Sequence, residues 1–142
     1  MMATSANAPK TSSCRVLYVD DLTEDQRLLS EAVDLAQVPV QVVCASSGEK
    51  ALDVLKADRE FDFVLLDWNL PRLSGDELLD DLRAMNLNIP ILVLTGEPRT
   101  VSLNRSTSSD APRVIRKPPT LEAWKDFARM LLDLCAQPIE TA

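Results

Sequence analysis

Histidine is missing altogether from this 142-residue chain. Its absence removes Ser/His and Cys/His nucleophilic schemes and every histidine-based zinc site. Glycine is scarce: Gly48, Gly75 and Gly96 stand alone and form no glycine-rich phosphate loop, which disfavours a nucleotide-binding fold. Basic residues are outnumbered, with 15 Lys and Arg against 22 Asp and Glu and a net charge of -7. They are dispersed without interleaved aromatics, so the electrostatic footprint of direct nucleic-acid binding is missing. No apolar run approaches the roughly 18 residues of a membrane span, and Met1 to Ser13 lack the apolar core of a signal peptide. A cytoplasmic protein without membrane insertion is expected. The three cysteines, Cys14, Cys44 and Cys135, are odd in number and scattered in apolar contexts without metal-ligand spacing. They are expected to be small core-filling thiols rather than a disulfide framework. The chemistry left to the chain must use carboxylates, lysine and hydroxyls.

An apolar content of 46% with 26% charged residues suits one globular domain that owns a hydrophobic core. Residues 1–13, rich in Ser, Thr, Ala and Asn, read as a disordered leader, 14–137 as the domain and 138–142 as a tail. A first strand is expected over Arg15 to Asp20. Thr23-Glu24-Asp25-Gln26 has capping-box spacing before a helix with Leu28, Leu29, Ala32, Val33, Leu35 and Ala36 on its apolar stripe, ended by Val38-Pro39. Val40 to Ala45 reads as a second strand, and Ser46-Ser47-Gly48-Glu49 caps a second helix carrying Ala51, Leu52, Val54 and Leu55. Phe61 to Leu66 forms a third strand, and Ser74-Gly75-Asp76-Glu77 opens a helix with Leu78, Leu79, Leu82 and Met85 inward. Ile91 to Leu94 forms a fourth strand, and Val114-Ile115 lies in a fifth. A last helix from near Thr120 carries Leu121, Trp124, Phe127, Ala128, Leu131, Leu132 and Cys135 on one face. Continuous apolar strands alternating with helices imply a parallel sheet covered on both faces. Between Thr95 and Arg113 the chain is crowded with poor helix formers, which predicts a short, frayed helix or a mobile loop.

Polar residues gather at the C-terminal ends of these strands, where open α/β sheets keep their chemistry. Asp20 and Asp21 end the first run, Asp67 the third, Thr95 the fourth and Lys117 the fifth. Three carboxylates on one sheet edge repel unless a cation lies among them. Oxygen-only ligands with room for water suit Mg2+ better than zinc. Taken singly, an Asp-Asp pair after a strand is usually a solvated turn, and a Lys-Pro is usually surface punctuation.

In this order, Asp-Asp, Asp-x-x-x-Pro, Thr-Gly and Lys-Pro closely resemble the receiver domain of two-component response regulators, over residues 14 to 135. The resemblance implies a flavodoxin-like, doubly wound (βα)5 sandwich with a five-stranded parallel sheet. It makes Asp67 the phosphoacceptor, the nucleophile that forms an acyl phosphate, with Lys117 and Thr95 as catalytic and switch residues. Asp21 and Asp67 would hold Mg2+ directly, Asp20 through water, and Asn69 through its backbone carbonyl. Asn69 and Glu97 would tune the lifetime of the acyl phosphate. The Lys117-Pro118 bond is expected to be cis, aiming the lysine inward, and Trp68 beside Asp67 is a built-in optical reporter. Implied partners are a sensor histidine kinase or histidine phosphotransfer protein, then a downstream protein of unknown identity. The exposed faces of the first and last helices are candidates for that contact or for a homodimer.

The chain departs from the pattern at Val114, where many receivers carry an aromatic residue whose rotation accompanies the hydroxyl's movement. Valine is stiff at its first torsion, so an order-to-disorder change over residues 97–112 is a candidate replacement for that switch. Because the chain ends at Ala142 soon after the last helix, a stand-alone receiver is expected. A phosphorylation-independent interaction module is the alternative that Val114 leaves open. A phosphohydrolase is disfavoured, because Asn69 stands where an Asp-x-Asp pair would need its second acid.

Overall fold

A computed structural model of the chain describes residues 14–68, 75–85, 89–96 and 113–136. The leader, Asn69, Glu97 and the segment 97–112, with the expected fourth helix, lie outside the described residues. Five strands, β1 (Cys14–Val19), β2 (Val40–Ala45), β3 (Phe63–Asp67), β4 (Ile91–Thr95) and β5 (Arg113–Arg116), pair in parallel in the order β2-β1-β3-β4-β5. Four helices, α1 (Thr23–Ala36), α2 (Gly48–Ala57), α3 (Gly75–Ala84) and α4 (Leu121–Ala136), complete the described architecture. This is the doubly wound five-stranded parallel arrangement expected from the sequence.

Side chains alternate across each strand and feed two cores. Val16, Tyr18, Leu65, Leu92 and Leu94 pack with Leu29, Ala32 and Val33 of α1 and with Trp124, Phe127, Ala128 and Leu131 of α4. On the other face Leu17, Val19, Val64 and Leu66 pack with Ala51 and Leu55 of α2 and Leu78, Leu79 and Leu82 of α3. Both faces of β1 and β3 are therefore dry, which is why their sequences read as unbroken apolar runs. α4 belongs to the core: Trp124 meets Phe127 edge-on at 5.9 Å and Tyr18 at 6.2 Å.

Several local expectations need correction. The first helix has no side-chain cap: Leu22 is the N-cap, and Gln26 donates instead to the Asp20 carbonyl at 2.6 Å. That bond turns the Gln26 side chain toward the strand end and away from the capping position. Ser47, not Ser46, caps α2 by accepting the Lys50 amide at 3.1 Å. Leu35 lies outside the apolar stripe and is 55% exposed. α1 ends through Gln37 in the left-handed region (φ 57°), ahead of Val38-Pro39.

Cysteine chemistry also differs from expectation. Cys14 and Cys135 form a disulfide across 121 residues, with Cα atoms 5.8 Å apart, and Cys44 is an exposed free thiol on β2. Apolar context alone could not reveal this, because the pairing depends on α4 returning across the start of β1.

Candidate functional site

Parallel pairing aligns the strand ends at one edge. Three backbone hydrogen bonds fix the exits: Asp20 N–H to the Ala45 carbonyl at 3.0 Å, Trp68 N–H to Leu94 at 3.0 Å, and Lys117 N–H to Thr95 at 2.8 Å. The strand order reverses between β1 and β3, the place where doubly wound sheets open a crevice. Carboxylates of Asp20, Asp21 and Asp67 meet there, with ligand oxygens within 4.8 Å of one another. Asp20 and Asp67 are buried, and Asp21 is exposed.

Lys117 reaches this edge from the end of β5. Its Nζ lies 3.1 Å from Asp20, 3.5 Å from Asp67 and 2.8 Å from Asp25, a carboxylate in the first turn of α1. Burial alone would lower the lysine's pKa, but the Asp25 hydrogen bond and the charges of Asp67 and Asp20 outweigh it and leave the pKa raised. Lys117 is therefore a fixed cation. The expected cis Lys117-Pro118 bond is not found: the described peptide bonds are all trans. Trans is the intrinsically favoured isomer, and the lysine's four-carbon stem reaches the acids without a bend in the chain.

Asp20 is held on both oxygens. Tyr18 donates its hydroxyl to Oδ2 at 2.5 Å, Lys117 bonds the same oxygen, and the Leu22 amide donates to Oδ1 at 2.9 Å. The Tyr18 pKa is driven far up, first by burial and then by the Asp20 hydrogen bond and nearby carboxylate charge, so its proton stays on the phenol. Thr95 is buried at the end of β4, and Val114 is half-buried opposite Val93 in β5. Trp68 is half-buried against the α2 and α3 core.

The fold thus gathers Asp20, Asp21, Asp67 and Lys117 into one site and sets Thr95 at the same strand edge. Sequence reasoning missed Asp25 and Tyr18. Asp25 reads in the sequence as part of a capping box, and only the rotation of α1 shows that it, rather than its exposed neighbour Glu24, turns toward this edge. Tyr18 looked like one more core residue of β1, and its hydroxyl is visible only once the strand's direction toward Asp20 is fixed.

Comparison with known proteins gives the same architecture a family. The chain matches the response regulator receiver domain over residues 16–128 and belongs to that family. It is 31% identical over 115 residues to the chemotaxis protein CheY-3 of Vibrio cholerae, covering 79% of this chain and 86% of that protein. It is 30% identical over 122 residues to the sensor histidine kinase RcsC of Salmonella typhi; these span 86% of this chain but only 13% of that kinase. Among solved structures, a receiver domain protein from Clostridium thermocellum superposes with a TM-score of 0.65 at 20% identity, covering 85% and 95% of the two chains. CheY4 of Vibrio cholerae does so with a TM-score of 0.62 at 24% identity, covering 84% and 98%. The protein is a receiver-type signalling module of two-component systems, and its Asp20, Asp21 and Asp67 pocket is of the kind that serves as a phosphoacceptor site. No helix among the described residues is long and apolar enough to cross a membrane.

Proposed function

We propose that the chain is a single-domain response regulator that takes a phosphoryl group on Asp67 from a histidine kinase or histidine phosphotransfer protein and then signals to a protein partner. The carrying observation is Lys117, whose Nζ is held among Asp20, Asp25 and Asp67 at the C-terminal edge of the sheet. A nucleophilic carboxylate beside a fixed cation has the elements needed for phosphoryl transfer, which is mostly positioning and charge stabilisation. The match to CheY-3 over most of that protein's length supports the single-domain reading, and the RcsC kinases among its relatives support the partner class.

In this reading an Asp67 carboxylate oxygen attacks phosphorus as the donor's bond to it breaks. The Lys117 ammonium then exchanges its contact with Asp67 for one with a phosphoryl oxygen. Thr95 supplies a hydroxyl to another phosphoryl oxygen at the end of β4. Tyr18 and the Leu22 amide hold Asp20 still while the charge beside it changes.

The donor set fits Mg2+: three carboxylates, oxygen ligands only, one of them exposed to water. Asp21 and Asp67 would hold the ion directly. Asp20, already engaged on both oxygens, would act through water, and Asn69 through its carbonyl. The bound ion would neutralise the carboxylates and the incoming phosphoryl oxygens. Asn69 and Glu97 are proposed to tune the lifetime of the acyl phosphate. With Val114 in place of an aromatic rotor, Thr95 is proposed to signal through the chain that follows it. A cytoplasmic location accords with this role.

The test is phosphoryl incorporation from acetyl phosphate with Mg2+, read by intact mass and by Trp68 emission. A metal-dependent gain of one phosphoryl group that Asp67→Asn abolishes supports the reading. No gain from acetyl phosphate or from a phosphorylated histidine phosphotransfer protein would turn it to the phosphorylation-independent interaction module.

A further inference from the structure

At the opposite, N-terminal edge of the sheet, the first residue of β1 is covalently tied to the last turn of α4 through Cys14 and Cys135. We infer that this pair is a reversible thiol–disulfide site, exchanging with a low-molecular-weight thiol and its disulfide, that ties and unties the last turn of the C-terminal helix to the start of β1. This inference is independent of the phosphoryl chemistry.

Three observations carry it. The two cysteines differ in access: Cys14 is 2% exposed, whereas Cys135 is half-buried on α4. Exchange therefore has one more accessible cysteine and one sheltered one, the arrangement of an attacking and a resolving thiol. A cleft of about 860 Å3, lined in part by Cys14, Arg15, Asp34, Arg59 and Asp62, borders the pair on its Cys14 side, not at Cys135, and has room for a small peptide thiol. Finally, an Asp62 carboxylate oxygen lies within 4.8 Å of both sulfurs, and Asp62 is fixed there by accepting the Arg15 amide at 2.9 Å. A carboxylate disfavours neighbouring thiolates, the attacking species of exchange, and leaves protonated thiols and a neutral disulfide nearly untouched, so it sets the rate of exchange at this pair more than its balance. In a cytoplasmic protein a disulfide that does form is most often transient or redox-sensing.

The exchange balances with a small disulfide as oxidant. The Cys135 thiol loses its proton to solvent, and its sulfur attacks one sulfur of the small disulfide. This forms a mixed disulfide and expels one small thiolate. The Cys14 thiolate then attacks the Cys135 sulfur, closing the protein disulfide and expelling the second thiolate. Two electrons pass from the protein to the small disulfide, and the two protons released by the cysteines end on the two small thiols. Excess thiol reverses every step.

The chain is equilibrated across ratios of reduced to oxidised glutathione, quenched in acid, alkylated with N-ethylmaleimide and weighed intact, with exposed Cys44 as the internal control. The expected result is one transition between singly alkylated and triply alkylated protein. Asp62→Asn should approach equilibrium faster with its midpoint little changed, and a glutathione adduct should be trapped on Cys135 in Cys14→Ser. Reduction should lower Tm by roughly 10 °C, because a long loop is freed in the unfolded chain. Triple alkylation at every ratio, or a disulfide that persists in fully reduced glutathione, would overturn the inference. So would a Cys14→Ser protein that acquires glutathione only at Cys44.

Discussion

Replacing Asp67 by Asn removes one charge from the carboxylate cluster while keeping the side chain's shape. At an effective dielectric of about 20, carboxylate oxygens up to 4.8 Å apart repel by about 3.5 kcal/mol or more per pair. The repulsion from Asp20 counts nearly in full, because both groups are buried; that from exposed Asp21 is discounted by solvent screening. Against this, Lys117 at 3.5 Å attracts Asp67 by about 5 kcal/mol on the same scale. Attraction and repulsion nearly cancel, which leaves the cost of keeping a carboxylate that is only 3% exposed away from water. Asp67→Asn should therefore stabilise the metal-free protein by about 2 kcal/mol, roughly a 6 °C rise in Tm. Urea and thermal melts in chelator check this, with Asp53→Asn, on the exposed side of α2, as a control that should move Tm by about 1 °C or less. Mg2+ should raise the wild-type Tm and narrow the gap, by about 1.4 kcal/mol at ten times its Kd. An Asp67→Asn protein no more stable than wild type in chelator would refute the reasoning, because it would mean the three acids do not share one electrostatic site.

Other expectations follow from the same geometry. Tyr18 and Lys117 both have folded-state pKa values raised above their ordinary values of 10.0 and 10.5. The folded state then holds protons that the unfolded chain releases, so their stabilisation is complete below about pH 10 and is lost as pH rises further. Urea melts from pH 7 to 11 should show a plateau and then a decline. The tyrosinate absorbance of this single tyrosine should appear only with unfolding; a reversible phenol titration in the folded protein near pH 10 would contradict the burial argument. Gln37→Gly should stabilise by about 1 kcal/mol, because Gln37 occupies the left-handed region at φ 57° where glycine carries no Cβ penalty; a lower urea midpoint would show that the Gln37 side chain matters more than its backbone. Leu131→Ala, in the fully buried stripe of α4, should cost about 2–5 kcal/mol, measured by urea denaturation, and a cost below 1 kcal/mol would show that α4 is not part of the core. Asp25→Asn should free Lys117 for the phosphoryl oxygen and speed labelling by acetyl phosphate several-fold; slower labelling would mean that Asp25 presents the lysine rather than restraining it.

Much of this was legible in the chain because burial on two faces leaves an unmistakable mark. Val16 to Val19 and Phe63 to Leu66 are apolar at every position, and a strand with that pattern must lie inside a parallel sheet, which sends Asp20 and Asp67 to the same edge. Lys117 was legible from its place after Val114-Ile115 in the ordered motif rather than from burial, since β5 is an edge strand with exposed arginines at both ends. Contacts that depend on the path of a helix were not. Asp25 joins the site only because the rotation of α1 turns it toward Lys117, and Cys14 meets Cys135 only because α4 crosses the start of β1. Lys117-Pro118 shows a different limit: the resemblance implied a bend that this lysine's reach makes unnecessary.

The most direct test of the central claim is to locate the phosphoryl group. Protein labelled with acetyl phosphate and Mg2+ is treated with borohydride, which reduces an aspartyl phosphate to homoserine, and the product is mapped by peptide mass. Homoserine at position 67, absent without Mg2+ and absent from Lys117→Ala, is the expected result. Reduction at another acid, or none in protein that still carries phosphate, would contradict the assignment of Asp67 as the phosphoacceptor.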